Sequence, residues 1–187
     1  MSIMEIITDF EWYNEKGLVI RFDDNFGENF FSRFQNNPLL YHDFVYDKVE
    51  ERNLQTGVRW SYNKSIIDIK NATICSLPTP NMDKVIVDIS ELFGEYQQIR
   101  YTTAIYNADG SVHKVVEMPR PIMPNLGRGP TRDEKPHTNE VYWCRKKVDG
   151  YSMLIQLGYY AAWEERYFNP ETGEIGGLFS NNSYGYY

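Results

Sequence analysis

The chain has 187 residues, of which 42% are hydrophobic and 24% are charged, and its formal net charge is -7. This length suits one well-buried domain, and the composition favours a soluble globular protein over a disordered chain or a membrane-spanning one. The acidic balance argues against non-specific binding to nucleic acid.

The N-terminal third predicts two strands followed by two helices. The strands are expected over residues 3–8 and 17–22, joined by a polar connection. A short helix is expected over 28–35, where phenylalanines recur at helical spacing. A second helix is expected from Pro38 to about residue 52, because a proline after two asparagines is a typical helix start.

From Gly57 onward, apolar residues recur at every second position. Val58, Trp60 and Tyr62 alternate with polar residues, and a turn at 62–65 precedes a second alternating run. This pattern predicts a β-hairpin. A strand is then expected over 84–89, with a brief helical turn over 90–96.

The C-terminal half predicts further hairpins. Strands are expected over 98–106 and 111–118, joined by an Asp109-Gly110 step that is typical of tight turns. Runs at 140–147 and 151–168 flank another turn, although part of the second run, 159–167, also fits a helix. The tail at 180–187 is polar and aromatic and shows no periodicity.

Together these patterns predict an α+β fold of one domain over residues 1–187. It would be mostly antiparallel β, arranged as a meander, sandwich or barrel-like structure, with two helices near the N-terminus.

No residue pattern points to catalysis. His42, His113 and His137 stand at no metal-ligand spacing, and Cys75 and Cys144 lie among apolar neighbours, where a thiol is usually inert packing. An acidic turn at 23–28 departs from the calcium-loop pattern. We therefore predict no catalytic residue, no cofactor and no metal.

The segment 119–138 is the most unusual part of the chain. It contains five of the nine prolines and is basic in an acidic protein. Prolines keep such a segment extended and lower the entropy that it loses on docking. One alternative is a solvated surface loop with no partner. The other, which we expect, is an extended loop or arm that binds a partner through Arg120, Ile122, Met123, Leu126, Arg128, Arg132 and Lys135.

These features predict a non-enzymatic protein that binds other protein subunits, as a homo-oligomer or in a larger assembly such as a viral or phage structure. No membrane or nucleic-acid partner is expected, and the predicted location is the cytoplasm or a virion. One alternative is an acidic inhibitor or immunity-type protein. Another is a small enzyme whose site is assembled only in three dimensions.

Overall fold

The computed structural model describes residues 6–22, 56–73, 75–93, 98–119, 137–145, 151–159 and 162–183. These ranges contain twelve β-strands and no helix, and therefore no helix long and apolar enough to cross a bilayer. The strands form three sheets of four strands each. All pairs of neighbouring strands are antiparallel.

The first sheet has its strands in the spatial order 2-1-3-4. They are β1 (Thr8–Asn14), β2 (Val19–Arg21), β3 (Thr56–Tyr62) and β4 (Ser65–Lys70). The predicted hairpin at 57–69 is present as β3 and β4. Its turn residues Asn63 and Lys64 both have positive φ, as a type I′ turn requires.

The second sheet has its strands in sequence order. They are β5 (Leu77–Pro78), β6 (Lys84–Phe93), β7 (Gln98–Asn107) and β8 (Val112–Val115). The predicted tight turn joins β7 to β8. Gly110 adopts a φ of 85° there, and the Asp109 carboxylate accepts a 2.9 Å hydrogen bond from the backbone N–H of Ser111.

The third sheet is a meander with the spatial order 12-11-10-9. Its strands are β9 (His137–Arg145), β10 (Tyr151–Tyr159), β11 (Ala162–Asn169) and β12 (Glu174–Ser183). The turn between β11 and β12 closes with a 2.8 Å hydrogen bond from the N–H of Gly173 to the carbonyl of Asn169.

Two tryptophans attach the first sheet to the second. Trp12 and Trp60 are fully buried. Their indole N–H groups donate to the backbone carbonyls of Ser76 (2.8 Å) and Ala108 (2.7 Å). Because the polar end of each indole is bonded, both large rings enter the core without an unsatisfied donor.

The third sheet contacts the second through the turn between β11 and β12. Nζ of Lys84 lies 2.8 Å from the Glu171 carboxylate, and Nε2 of His113 lies 2.8 Å from the Glu171 carbonyl oxygen. Strand β6 is buried at every position from 84 to 88. Both faces of this strand are therefore covered.

The predicted α+β class is wrong, since the described residues form an all-β structure. The two predicted helices, 28–35 and 38–52, lie outside the described residues. The predicted helical turn at 90–96 is also wrong in its first part, because residues 90–93 continue β6 and pair with 98–101 of β7. Continuous pairing between strands outweighs a local capping signal.

Two other predictions also need correction. The first strand of the described residues is Thr8–Asn14, so most of the predicted connection is itself a strand, and residues 3–5 of the predicted strand lie outside the described residues. The helical alternative at 159–167 is excluded, because residues 162–169 form β11.

Candidate functional site

The outer face of the first sheet carries four charged side chains in one line across its strands. Glu11 on β1 lies opposite Arg21 on β2 and opposite Arg59 on β3. Arg59 lies opposite Asp68 on β4. We call these four residues the charged row. Its alternating signs are favourable, because opposite charges that face each other across strands stabilise a sheet.

Glu11 organises the charged row. Its carboxylate contacts Nε of Arg59, and Nε of Arg21 lies 3.8 Å away. The Glu11 side chain is 14% exposed, whereas that of Arg21 is 89% exposed. Arg59 is therefore held in place, while the guanidinium of Arg21 remains accessible to a ligand.

Tyr13 lies beside the charged row and joins three strands. Its hydroxyl donates a 2.5 Å hydrogen bond to Asp68, and the guanidinium carbon of Arg59 lies 5.2 Å from the ring centroid. Burial, followed by the hydrogen bond and the charge of Asp68, raises the pKa of Tyr13 to about 12. The phenol therefore stays protonated at neutral pH and remains a donor to Asp68.

A cleft of about 620 Å³ opens at one end of the charged row. Its apolar lining comes from Phe10, Phe22, Trp60, Ile66 and Met82. Its polar lining comes from Asp9, Glu11, Arg21, Arg59 and Ser61. This volume lies within the range of ligand pockets. Half of the lining residues are apolar and half are polar.

The walls of the cleft rest on a packed aromatic cluster. Phe10 meets Trp12 edge to face at 5.0 Å between ring centroids and stacks on Trp60 at 6.2 Å. Phe22 meets Phe10 edge to face at 6.1 Å. Such rings keep their positions without a ligand, so this side of the cleft is formed in advance.

Two residues that line the cleft have strained backbone. Asp9 has a φ of 52° where the pairing of β1 and β3 shifts register between Thr8 and Glu11. Met82 has a φ of 56°, and its carbonyl accepts a 2.7 Å hydrogen bond from the N–H of Ile7. Positive φ is costly for such residues, and it persists where the surrounding structure holds it, often at binding sites.

A second polar group, Asp88 on β6, lies in the core and not in the cleft. Its carboxylate accepts hydrogen bonds from the hydroxyls of Thr103 (2.9 Å) and Thr73 (3.1 Å). The residue is 1% exposed. Burial raises the pKa of Asp88 to about 7, against the opposing effect of the two hydrogen bonds. Because the carboxyl group is buried among the described core residues, we assign it to the core.

The third sheet contains a buried ion pair on β11. Nε and Nη2 of Arg166 lie 3.0 and 2.8 Å from one carboxylate oxygen of Glu164, and both side chains are 4% exposed. The two residues lie opposite Ile155 and Leu157 of β10. The pair therefore faces the apolar side of the sheet and belongs to its core.

The structure does not describe the sequence-predicted contact residues, so their part in a site stays a prediction. Arg120, Ile122, Met123, Leu126, Arg128, Arg132 and Lys135 all lie outside the described residues, as does His42. His113 is on the exposed strand β8 and contacts a backbone carbonyl of Glu171. Within the described ranges, no group of three or more His, Cys, Asp or Glu side chains is placed to hold a metal ion.

Sequence reasoning missed the charged row and the cleft. Glu11 lies in the segment predicted to connect the first two strands, and Arg59 is one of the polar positions in the predicted hairpin. Alternating charges on neighbouring strands were the available signal. That signal becomes specific only when the register between β1 and β3 is known.

Comparisons of the sequence with protein-family models and with curated proteins find no match. The function of the chain is therefore argued from the geometry of the first sheet.

Proposed function

We propose that the chain acts by binding another protein through the cleft and the charged row, and not by catalysis. One observation carries this proposal. An arginine, a tyrosine and carboxylates beside the cleft are held in place before any partner binds. Tyrosine and arginine dominate the binding energy of many protein interfaces. Side chains that are ordered before binding lose less entropy when a partner docks.

The chemistry of the cleft favours a partner segment that combines an apolar side chain with a carboxylate. The apolar wall, with Phe22 and Met82, suits an aromatic or aliphatic side chain. Arg21 is the accessible cation at its rim, and guanidinium groups bind carboxylates through paired hydrogen bonds.

The ionisable groups of the cleft support binding over catalysis. Glu11 is engaged by Arg59, and none of the described residues that line the cleft is a histidine or a cysteine. Asp88, whose pKa of about 7 would suit an acid or base, is buried elsewhere. The basic segment 119–138 stays a predicted second contact region for protein subunits.

A peptide titration tests this proposal. The probe is a fluorescein-labelled peptide, Gly-Phe-Glu-Phe-Gly, measured by fluorescence anisotropy against its Gln and Lys counterparts. We expect saturable binding of the Glu peptide, weaker binding of the Gln peptide and the weakest binding of the Lys peptide. Arg21→Ala should weaken binding of the Glu peptide about tenfold, as expected for a charge-assisted hydrogen bond.

The matched control is Lys114→Ala, which removes one positive charge from the exposed strand β8, away from the cleft. It should leave the affinity for the Glu peptide unchanged. Equal affinity for the three peptides, or an equal loss in both variants, would contradict a specific role for Arg21.

A further inference from the structure

Strand β4 forms one edge of the first sheet. It pairs with β3 over six consecutive positions without a bulge or register shift. Among the strands of the described ranges, none lies on its other side. A strand edge of this length that has no bulge can pair with a strand of another chain.

The hairpin turn decides which backbone groups this edge presents. Because the two-residue turn makes Tyr62 and Ser65 a hydrogen-bonded pair, every second residue of β4 bonds to β3. The N–H and C=O groups of the intervening residues point the other way. These outward residues are Ile66, Asp68 and Lys70.

The side chains of the outward residues are exposed, and two of them have opposite charges. Ile66 is 73% exposed, and Asp68 and Lys70 are also exposed. Asp68 and Lys70 stand two positions apart, so their side chains lie on the same face of the sheet. This spacing makes the edge complementary in charge to a second copy of itself.

We propose that two copies of the chain pair through β4, antiparallel, about a two-fold axis that passes at Ile69. In this register Asp68 lies opposite Lys70 of the partner subunit, and the reverse pair forms by symmetry. Asp68 and Lys70 are both outward residues, so each pair also exchanges backbone hydrogen bonds. The pairing runs over residues 68–70 of each copy, because β4 ends at Lys70 and Ala72 is bridged to Ile89. It joins the two first sheets into one sheet of eight strands.

The charged row supports this register over its neighbours. Arg21, Glu11, Arg59 and Asp68 alternate in sign across the sheet, and Lys70 of the partner subunit adds the next positive charge in the same line. If one copy of β4 is shifted by two residues along the other, Asp68 lies opposite Asp68 of the partner subunit. Like charges in that position destabilise strand pairing.

The opposite face adds apolar contact. Ile69 is half-buried on the core side of β4. At the two-fold axis it meets Ile69 of the partner subunit in a non-hydrogen-bonded pair, where side chains approach most closely. This interface uses the strand edge, which includes Asp68 of the charged row and Ile66 of the cleft lining. The inference goes beyond the proposed function, and its test reads the native mass of the chain and not peptide binding.

Charge reversal at the edge tests the proposal. Native mass of the full chain is measured by sedimentation over a concentration series. The wild type should show a dimer, and Asp68→Lys and Lys70→Asp should each weaken dimerisation at least about tenfold by facing like charges. The double variant Asp68→Lys with Lys70→Asp should restore the dimer. Glu117→Lys, with the same charge change as Asp68→Lys at an exposed position off this edge, should dimerise like the wild type.

A cross-link tests the register and does not rely on variants that reverse charge. In a chain with Cys75 and Cys144 replaced by serine, Ile69→Cys should form a disulfide-linked dimer on oxidation, since the two Cβ atoms lie within disulfide range. A wild-type chain that stays monomeric at all concentrations would overturn the proposal. So would a dimer that persists in both single charge variants, or an Ile69→Cys chain that does not cross-link. The peptide titration has a separate readout, because it depends on Arg21 of β2 and not on native mass.

Discussion

The ring of Tyr13 occupies the space that any side chain at position 57 would need. A Cβ atom added to Gly57 would lie 2.4 Å from the ring carbon Cζ of Tyr13. The two residues lie directly opposite each other on β1 and β3. Glycine at this position therefore lets the ring cross β3 and reach Asp68 on β4.

Replacing this glycine should displace the tyrosine. In Gly57→Ala the new methyl group forces the Tyr13 ring away from Asp68, so the hydrogen bond is lost and stability falls by about 1–2 kcal/mol. The pKa of Tyr13, followed by NMR of ring-labelled tyrosine, should fall from about 12 toward its ordinary value of 10.0.

Gly177→Ala is the control for this prediction, because an added Cβ there meets no atom within 4 Å. It should leave the titration of Tyr13 unchanged. An unchanged titration in Gly57→Ala as well would show that Gly57 does not set the position of the ring.

Asp88 should make stability depend on pH between about 4 and 7. The pKa of Asp88 is raised from 3.8 to about 7 in the folded chain, so its protonated form favours folding. This contribution is complete below the unfolded pKa and is lost as the pH rises through the folded one. Asp88→Asn should therefore match the wild type near pH 4 and exceed it at pH 8, by on the order of 3 kcal/mol.

Urea unfolding of both proteins across this pH range measures the difference. Asp109→Asn is a control of opposite sign, because hydrogen bonds from Ser111 hold the pKa of the Asp109 carboxyl below its usual range. The wild type should lose its advantage over Asp109→Asn as the pH falls. Parallel stability curves for wild type and Asp88→Asn would contradict the account of Asp88.

Breaking the buried ion pair should cost far more than breaking an exposed one. Arg166→Ala removes a buried cation from the buried carboxylate of Glu164, which should lower the unfolding free energy by about 3–5 kcal/mol. Arg21→Ala removes a largely exposed arginine from the same type of contact and should cost at most about 1 kcal/mol. Chemical denaturation measures the unfolding free energy of both variants. Similar losses of unfolding free energy would show that burial does not determine how much an ion pair contributes to stability.

Peptide binding should weaken with salt. Arg21 is exposed, so its attraction to a peptide carboxylate is screened as ionic strength rises from 0.01 M to about 1 M. Anisotropy titrations at several salt concentrations should show a falling affinity for the Glu peptide and little change for the Gln peptide. If the affinities of the Glu and Gln peptides fall equally with salt, the proposed contact between Arg21 and the peptide carboxylate is contradicted.

Local signals in the sequence were enough to predict two hairpins. The alternation around Val58 and Trp60 and the turn at 62–65 lie within one short segment, as do the strands on either side of Asp109 and Gly110. Hairpin pairing depends on neighbours in the chain, so a local pattern carries most of the information. The helical turn predicted at 90–96 was wrong because its first residues are fixed by pairing with β7.

The candidate site was beyond the reach of the same reasoning. Glu11 and Arg59 are 48 positions apart in the chain and meet only because β1 pairs with β3 in one register. The cleft also needs Met82, which arrives from the turn before β6. Such contacts follow from long-range register, which alternation alone does not specify.

Binding of a protein segment in the cleft of the first sheet can be located by NMR chemical-shift mapping of the full chain during titration with the peptide Gly-Phe-Glu-Phe-Gly. We expect saturable shifts concentrated at residues 9–11, 21–22 and 59–61, which line the cleft. These shifts should be lost in Arg21→Ala. Shifts confined to other parts of the chain, or no shifts at saturating peptide, would contradict binding in the cleft.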